Sequence, residues 1–270
     1  MKPRPFDYAR PDTAEEAVKL LAEYGDDARV LAGGQSLLPM LNLRLLDVGV
    51  LIDISQVRDL GGIRDLGNKI EIGAAVTQNT LMAWPELANK LPLVHAALPF
   101  VGHFQTRNKG TVCGSIAHAD PSSELPLTLA VLGGEVVLRS ARGDRVLAVS
   151  EFQQDMLTTA REPDELVVAV RFPVLPHRGV AFHEVARRHG DFAIVAVAVA
   201  LDEGAVRVGV GGMAGRPMMR RLDGDAVTAV GEWAEQLEGY EDLHASAALR
   251  RDLFRKLGPH VIAQAKRCAA

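Results

Sequence analysis

The chain has 270 residues, enough to bury more than one core, and its 48 % hydrophobic and 24 % charged residues are those of an ordinary globular protein. The formal net charge of −4, with no cluster of Lys and Arg, argues against a nucleic-acid partner. Only two cysteines occur, Cys113 and Cys268, and no CxxC pair, which argues against a cysteine-held iron–sulfur or zinc centre in this chain and suits a reducing, cytoplasmic setting.

Met1 to Tyr8 contain no apolar leader segment. Thr13 and Glu16 have capping-box spacing ahead of a helix over 13–24, and Gly25 stands where that helix should stop. Strands are expected over 29–32 and 50–54, separated by Gly33-Gly34 and a short helix or turn over 35–46, so the opening is β-α-β-like. A hairpin over 62–65 and 69–73 turns at Gly67-Asn68. Thr77 caps a helix carrying Leu81, Met82 and Trp84, and a further helix is expected over 86–98. Residues 109–115 read as a second glycine-containing loop, followed by a helix from Pro121 to about Leu132 with Asp120 as its cap. Strands over 135–140, 145–149 and 165–172 follow, with a turn at 141–144.

Pro173 and Pro176 mark a boundary. Beyond it, 180–185, 193–201 and 205–210 read as an antiparallel meander turning at Asp202-Glu203-Gly204. The most apolar run, 192–201, is about half of the roughly 20 residues that a membrane helix needs, so a buried strand is expected and no membrane span. Helices over 226–237 and 245–268 end the chain, the second broken at Gly258-Pro259.

Two segments could hold a phosphate-bearing ligand. In Ala32-Gly33-Gly34-Gln35-Ser36-Leu37, glycines after a strand let backbone N–H groups approach a diphosphate, and Ser36 adds a hydroxyl. The plainer reading of such a loop is a tight turn, and neither GxGxxG nor a Walker A motif is present. The second segment, Arg107 to Pro121, again sets small residues and hydroxyls before a helix start. Together the two could grip one extended cofactor. Ser115, His118 and Asp120 invite a hydrolase reading, but no GxSxG elbow occurs. His95, His103 and His118 lack the i, i+4 spacing of a helical zinc pair. Cys113 reads as a small buried residue rather than a redox thiol. In Phe182 to Ala193, His183 alternates in phase with Val185 and Arg187, which makes one strand face polar.

From Pro5-Phe6-Asp7-Tyr8 through Ala32 to Pro39, Thr111 to Pro126 and Arg187 to Ala193, in that order, the sequence resembles the medium, FAD-binding subunit of the xanthine dehydrogenase and carbon monoxide dehydrogenase (molybdenum hydroxylase) family, over nearly the whole chain. The resemblance implies an α+β chain: a two-part FAD-binding domain of the vanillyl-alcohol-oxidase-like type over 1–175, with subdomains of about 1–55 and 56–175, and a C-terminal domain of antiparallel sheet and helices over 176–270. Ala32, Gly33, Gly34, Gln35, Ser36 and Leu37 would bind the FAD diphosphate and ribityl chain together with Thr111, Val112, Cys113, Gly114 and Ser115. Asp120 and Glu124 would contact the ribityl or adenosine part, Leu166 or Val167 would line a ring pocket, and His183 falls where relatives can carry a lysine beside the flavin. Cys113 replaces the first glycine of the family's Thr-x-Gly-Gly-Ser, which narrows the allowed backbone there.

The implied role is electron transfer on FAD, with no catalytic base and no metal in this chain. A large subunit would hold the molybdopterin and hydroxylate the substrate, a small subunit would carry [2Fe–2S] clusters, and the assembly would be a dimer of heterotrimers. Two other readings stand beside it: a free-standing FAD-dependent oxidoreductase on the same fold, and a non-catalytic nucleotide-binding assembly module. The first needs a substrate pocket with its own catalytic residues, for which the segment after residue 176 offers no obvious candidate.

Overall fold

The computed structural model describes residues 1–175, 179–202 and 204–269. The N-terminal layer is a three-stranded parallel sheet in the order β1 (Asp7–Ala9), β3 (Val50–Asp53), β2 (Ala28–Leu31). Helix α1 (Ala14–Tyr24) and the short α2 (Leu37–Asn42) connect its strands. Thr13 caps α1 by accepting from the Glu16 amide at 3.2 Å, whereas the Glu16 carboxylate accepts from Asp12 N at 2.8 Å, so the reciprocal half of the box lands one residue early. Gly25 ends α1 with φ +50°. Strand β1, too short for an alternation signal, was not legible in the sequence.

The second layer is a five-stranded antiparallel sheet, β4 (Ile63–Asp65), β5 (Lys69–Gly73), β10 (Leu166–Pro173), β6 (Glu135–Ser140), β7 (Gly143–Ala148), in that order. Between β5 and β6 the chain makes six short helices: α3 (Gln78–Met82), α4 (Leu87–Lys90), α5 (Pro92–Ala97), α6 (Phe104–Lys109), α7 (Val112–His118) and α8 (Glu124–Leu132). Pro92, which has no N–H, divides the single helix expected over 86–98. The glycine segment expected as a loop over 109–115 is largely helix α7, capped by Thr111. Asp120 does not cap α8: its Oδ1 accepts from Ser122 N at 2.8 Å in the preceding turn, and α8 starts at Glu124. Helix α9 (Val149–Phe152) leads from β7 into a small hairpin, β8 (Gln153–Asp155) and β9 (Thr158–Thr159).

The C-terminal meander is β11 (Val180–Val185), β12 (Val195–Asp202), β13 (Ala205–Gly211) and β14 (Met218–Asp223), paired in sequence order. Its fourth strand was not foreseen, and two of the positions used above, Pro176 and Glu203, lie outside the described residues. Strand β12 alternates valine and alanine. Val195, Val197 and Val199 pack with Trp233, Phe254 and Val261 from helices α10 (Ala226–Gln236) and α11 (Ala247–Ala269). Ala196, Ala198 and Ala200 face the core shared with α8. Small residues on this face let α8 lie close: a Cβ on Gly209 would stand 2.3 Å from Val131 Cγ2. Helix α11 is continuous through Pro259, contrary to the expected break at Gly258-Pro259; Gly258 there packs against Val230. Among the described residues no helix is long and apolar enough to cross a membrane.

Candidate functional site

The two glycine segments, about eighty residues apart in sequence, meet backbone to backbone. An added Cβ on Gly33 would stand 2.2 Å from Lys109 O and 2.7 Å from Gly110 Cα. Gly34 adopts φ +68°, a conformation that other residues rarely take. The amides of Gly34, Gln35, Ser36 and Cys113 make no backbone hydrogen bond among the described residues. A short bridge, Thr77 to Thr111, and the bond from Gln78 N to Gly110 O at 2.8 Å hold the second segment in place.

Between the segments lies a cavity of about 690 Å³, within the range of cofactor sites. Ala32, Gly33, Gly34, Gln35, Ser36 and Leu37 line it from one side. Thr111, Cys113, Gly114 and Ser115 line it from α7, and Glu124 from the start of α8. Leu166 and Val167 form an apolar wall on β10, just before a β-bulge between Val167 and Ala169 that shifts the register against β6.

Three expected residues do not line the cavity. Val112, the first residue of α7, is fully buried in the core. The Asp120 carboxylate is engaged by the turn before α8. His183 is exposed on β11, its ring 5.9 Å from that of Phe100 and 6.3 Å from that of His260.

Sequence reasoning missed several lining groups. Arg29 and Arg161 stand at one end, and Arg161 Nη1 donates to the carbonyls of Glu162, Pro163 and Glu165. Burial first, and then the nearby Arg29, hold the Arg161 guanidinium below its usual range. An isolated arginine in a loop carries no signal of its own. Gln78 lines the cavity, with its buried Oε1 left without a partner. Gly190, Asp191 and Phe192 line another edge; the sequence singled out their segment, but as a polar strand end.

The lining residues read as a hydrolytic constellation or a thiol nucleophile are not assembled as one among the described residues. No hydrogen bond joins Ser115, His118 and Asp120 among the described residues, and burial lowers the His118 pKa against the pull of Asp120. The Cys113 Sγ donates to Ile72 O at 3.3 Å, and burial pushes its thiol far up, so it is neither a nucleophile nor a redox thiolate. Because Cys113 sits inside α7, its position needs no glycine. Burial pushes Glu124 up to about 7, an effect that its own backbone amide opposes and Asp120 adds to. Glu184 on β11 is pushed up to about 8 by burial and by the facing Glu124.

These features fit a flavin dinucleotide. Unused amides with the Ser36, Thr111 and Ser115 hydroxyls suit a diphosphate and polyol, and the Leu166–Val167 wall suits a flat ring. Residues 4–175 match the family described as FAD binding domain in molybdopterin dehydrogenase. The chain is 40 % identical over 206 residues, 75 % of its own length and 70 % of the relative's, to the 6-hydroxypseudooxynicotine dehydrogenase complex subunit alpha of Paenarthrobacter nicotinovorans. It is 32 % identical over 273 residues, 95 % of this chain and 97 % of the other, to the glyceraldehyde dehydrogenase medium chain of Sulfolobus acidocaldarius. The solved carbon monoxide dehydrogenase from Hydrogenophaga pseudoflava superposes with a TM-score of 0.92 at 31 % identity, covering 100 % of both chains. The chain therefore belongs to the FAD-binding medium subunits of the molybdenum-hydroxylase-type dehydrogenases, as an oxidoreductase subunit.

Proposed function

We propose that the cavity between the two glycine segments is the FAD site and that this chain is the electron-transfer flavoprotein of a three-subunit assembly. The observation that carries the reading is the convergence of Gly34, Gln35, Ser36 and Cys113, with amides unused by the backbone, on one cavity. The diphosphate and ribityl chain fall to Ala32–Ser36 and to Thr111, Cys113, Gly114 and Ser115; Glu124 takes a polyol hydroxyl; Leu166 and Val167 take a ring face. When bound, FAD supplies the one- and two-electron chemistry. The chain's own residues bind and orient it and keep nucleophiles away from it. Electrons would arrive from the [2Fe–2S] clusters of a small subunit, fed by a large molybdopterin subunit, and leave to an external acceptor. The assembly is a cytoplasmic dimer of heterotrimers. Within the chain, 1–175 forms the FAD unit, split near residue 55, and 176–270 forms the second unit. That its relatives include a dehydrogenase complex subunit and a dehydrogenase medium chain supports this reading.

The test is anaerobic. The purified chain, loaded with FAD, is expected to be bleached by dithionite yet to stay oxidised with aldehydes, purines, other aromatic heterocycles and carbon monoxide. Bleaching by any of these without partner subunits would overturn the proposal in favour of a free-standing oxidase.

A further inference from the structure

Gln78 opens α3, and its structural work is done by its main chain. The N–H donates to Gly110 O at 2.8 Å beside the bridge from Thr77 to Thr111, and Thr77 caps the helix by accepting from Thr80 N at 3.0 Å. The Gln78 side chain makes no hydrogen bond among the described residues, yet it is 5 % exposed and lines the cavity. A buried amide without a partner is uncommon, because it loses its water and gains no bond in return. Six side-chain polar atoms are buried in this condition among the described residues, on Gln78, Arg107, Gln153, Glu184, Trp233 and Arg250. Of these six residues, Gln78 is the one that lines the cavity between the glycine segments.

The carboxamide lies where the two segments meet. A Cβ added to Gly110 would stand 3.2 Å from Gln78 Oε1, and a Cβ added to Gly33 would stand 2.7 Å from Gly110 Cα. Gly110 is therefore closely approached by both Gly33 and Gln78, one residue before Thr111. No side chain on these elements takes up the idle amide. Thr77 Oγ1 and Thr80 Oγ1 bond one another at 2.8 Å, and Thr111 Oγ1 accepts from Gly114 N at 3.0 Å.

We propose that Gln78 is a cofactor-binding residue whose carboxamide takes a hydroxyl of the ribityl chain of FAD. The inference rests on the FAD reading of the cavity and adds a ligand outside both glycine segments. Complementarity selects a hydroxyl. A phosphate oxygen only accepts, and it would leave Oε1 unpaired. A hydroxyl both donates and accepts, so it pairs with either atom of the amide. The last bond of a glutamine side chain turns in a broad well, so either atom can be presented to the cavity. Position selects the ribityl chain: Gln78 stands against Gly110, which adjoins Thr111 of the segment assigned to that chain. Without flavin the amide is desolvated and unpaired; with flavin it is paired. One substitution therefore has two opposite effects. Gln78→Met keeps the length of the side chain, removes its polar atoms and spares the bond from the backbone N–H to Gly110 O. The flavin-free chain should be at least as stable as the wild type, since no buried amide remains unpaired. FAD should bind about tenfold more weakly.

The experiment uses the full chain stripped of flavin, as wild type and as Gln78→Met. Denaturant unfolding gives the stability of each, and quenching of flavin fluorescence gives the affinity for FAD. The affinities are then measured with FAD analogues that each lack one ribityl hydroxyl. One analogue should bind the wild type about tenfold more weakly than FAD does and bind Gln78→Met with no further loss, the non-additivity of a direct contact. Equal FAD affinity in the two proteins overturns the proposal and leaves the FAD reading standing. A loss on substitution that stays undiminished with every analogue also overturns it. A marked fall in stability, or failure of Gln78→Met to fold, would show a side chain that holds the fold, and overturns it as well. A wild-type chain that folds but binds no FAD overturns the reading of the cavity itself, and this proposal with it.

Discussion

The segments 32–37 and 110–115 look alike in sequence, each with two glycines and a serine, yet they use their glycines for different reasons. In the first, Gly33 is required because another stretch of backbone touches it, and Gly34 because its φ is +68°. In the second, Cys113 and Gly114 sit in a capped helix with ordinary helical backbone, and Gly114 is constrained instead by the Thr111 cap, whose Oγ1 would stand 2.7 Å from an added Cβ. The family departure at Cys113 falls at a position of the segment whose helical backbone asks for no glycine. A motif's glycines are thus unequal, and backbone contact separates those that are obligatory from those that are not.

Three substitutions would break or sharpen this contrast. Gly33→Val has the largest expected effect. The sequence suggests that Gly33 leaves room for a diphosphate; the structure puts the first clash of a side chain there against Lys109 O, within the protein itself. Stability of the apoprotein should fall by about 3 kcal/mol, the upper end for overpacking, as measured by denaturant unfolding. A variant as stable as the wild type would show that the two segments do not touch. Gly34→Ala comes next. Its cost is about 1–2 kcal/mol for the left-handed backbone, since the nearest atoms, in Leu38 and Leu31, are the movable ends of side chains. The smallest effect is expected for Cys113→Gly, which restores the family residue. It removes the thiol bond to Ile72 O and puts glycine inside α7, at about 1 kcal/mol, with flavin content per chain unchanged. A gain in flavin content would mean that Cys113 hinders the cofactor.

Much of this was legible in the sequence because the signals were local. The Thr13 cap, the Gly67-Asn68 hairpin and the period-2 strands of the meander each depend on neighbours a few residues away. The first glycine segment and most of the second line one cavity, two stretches that the sequence singled out separately. The failures were non-local. Arg161, Arg29 and Gln78 reach the cavity through the folding of distant elements, which no spacing announces. Asp120 looked like a helix cap, but the turn over 120–123 consumed its carboxylate first. His183 has strand phase but faces away, because it pairs with Val197 and shares that strand face with α11, where its ring lies 6.3 Å from that of His260.

Helix α8 has a consequence for how the chain can be divided. Eight of its nine residues are buried, with Leu125, Leu127 and Val131 in the core with the first two sheets and, from the other side, against the alanine and glycine face of the meander. A protein ending at residue 175 would strip that second cover and present Leu127 and Val131 to water as an adhesive stripe. The stretches before and after residue 175 are therefore separable as text but not as objects: the first carries a surface shaped for the second.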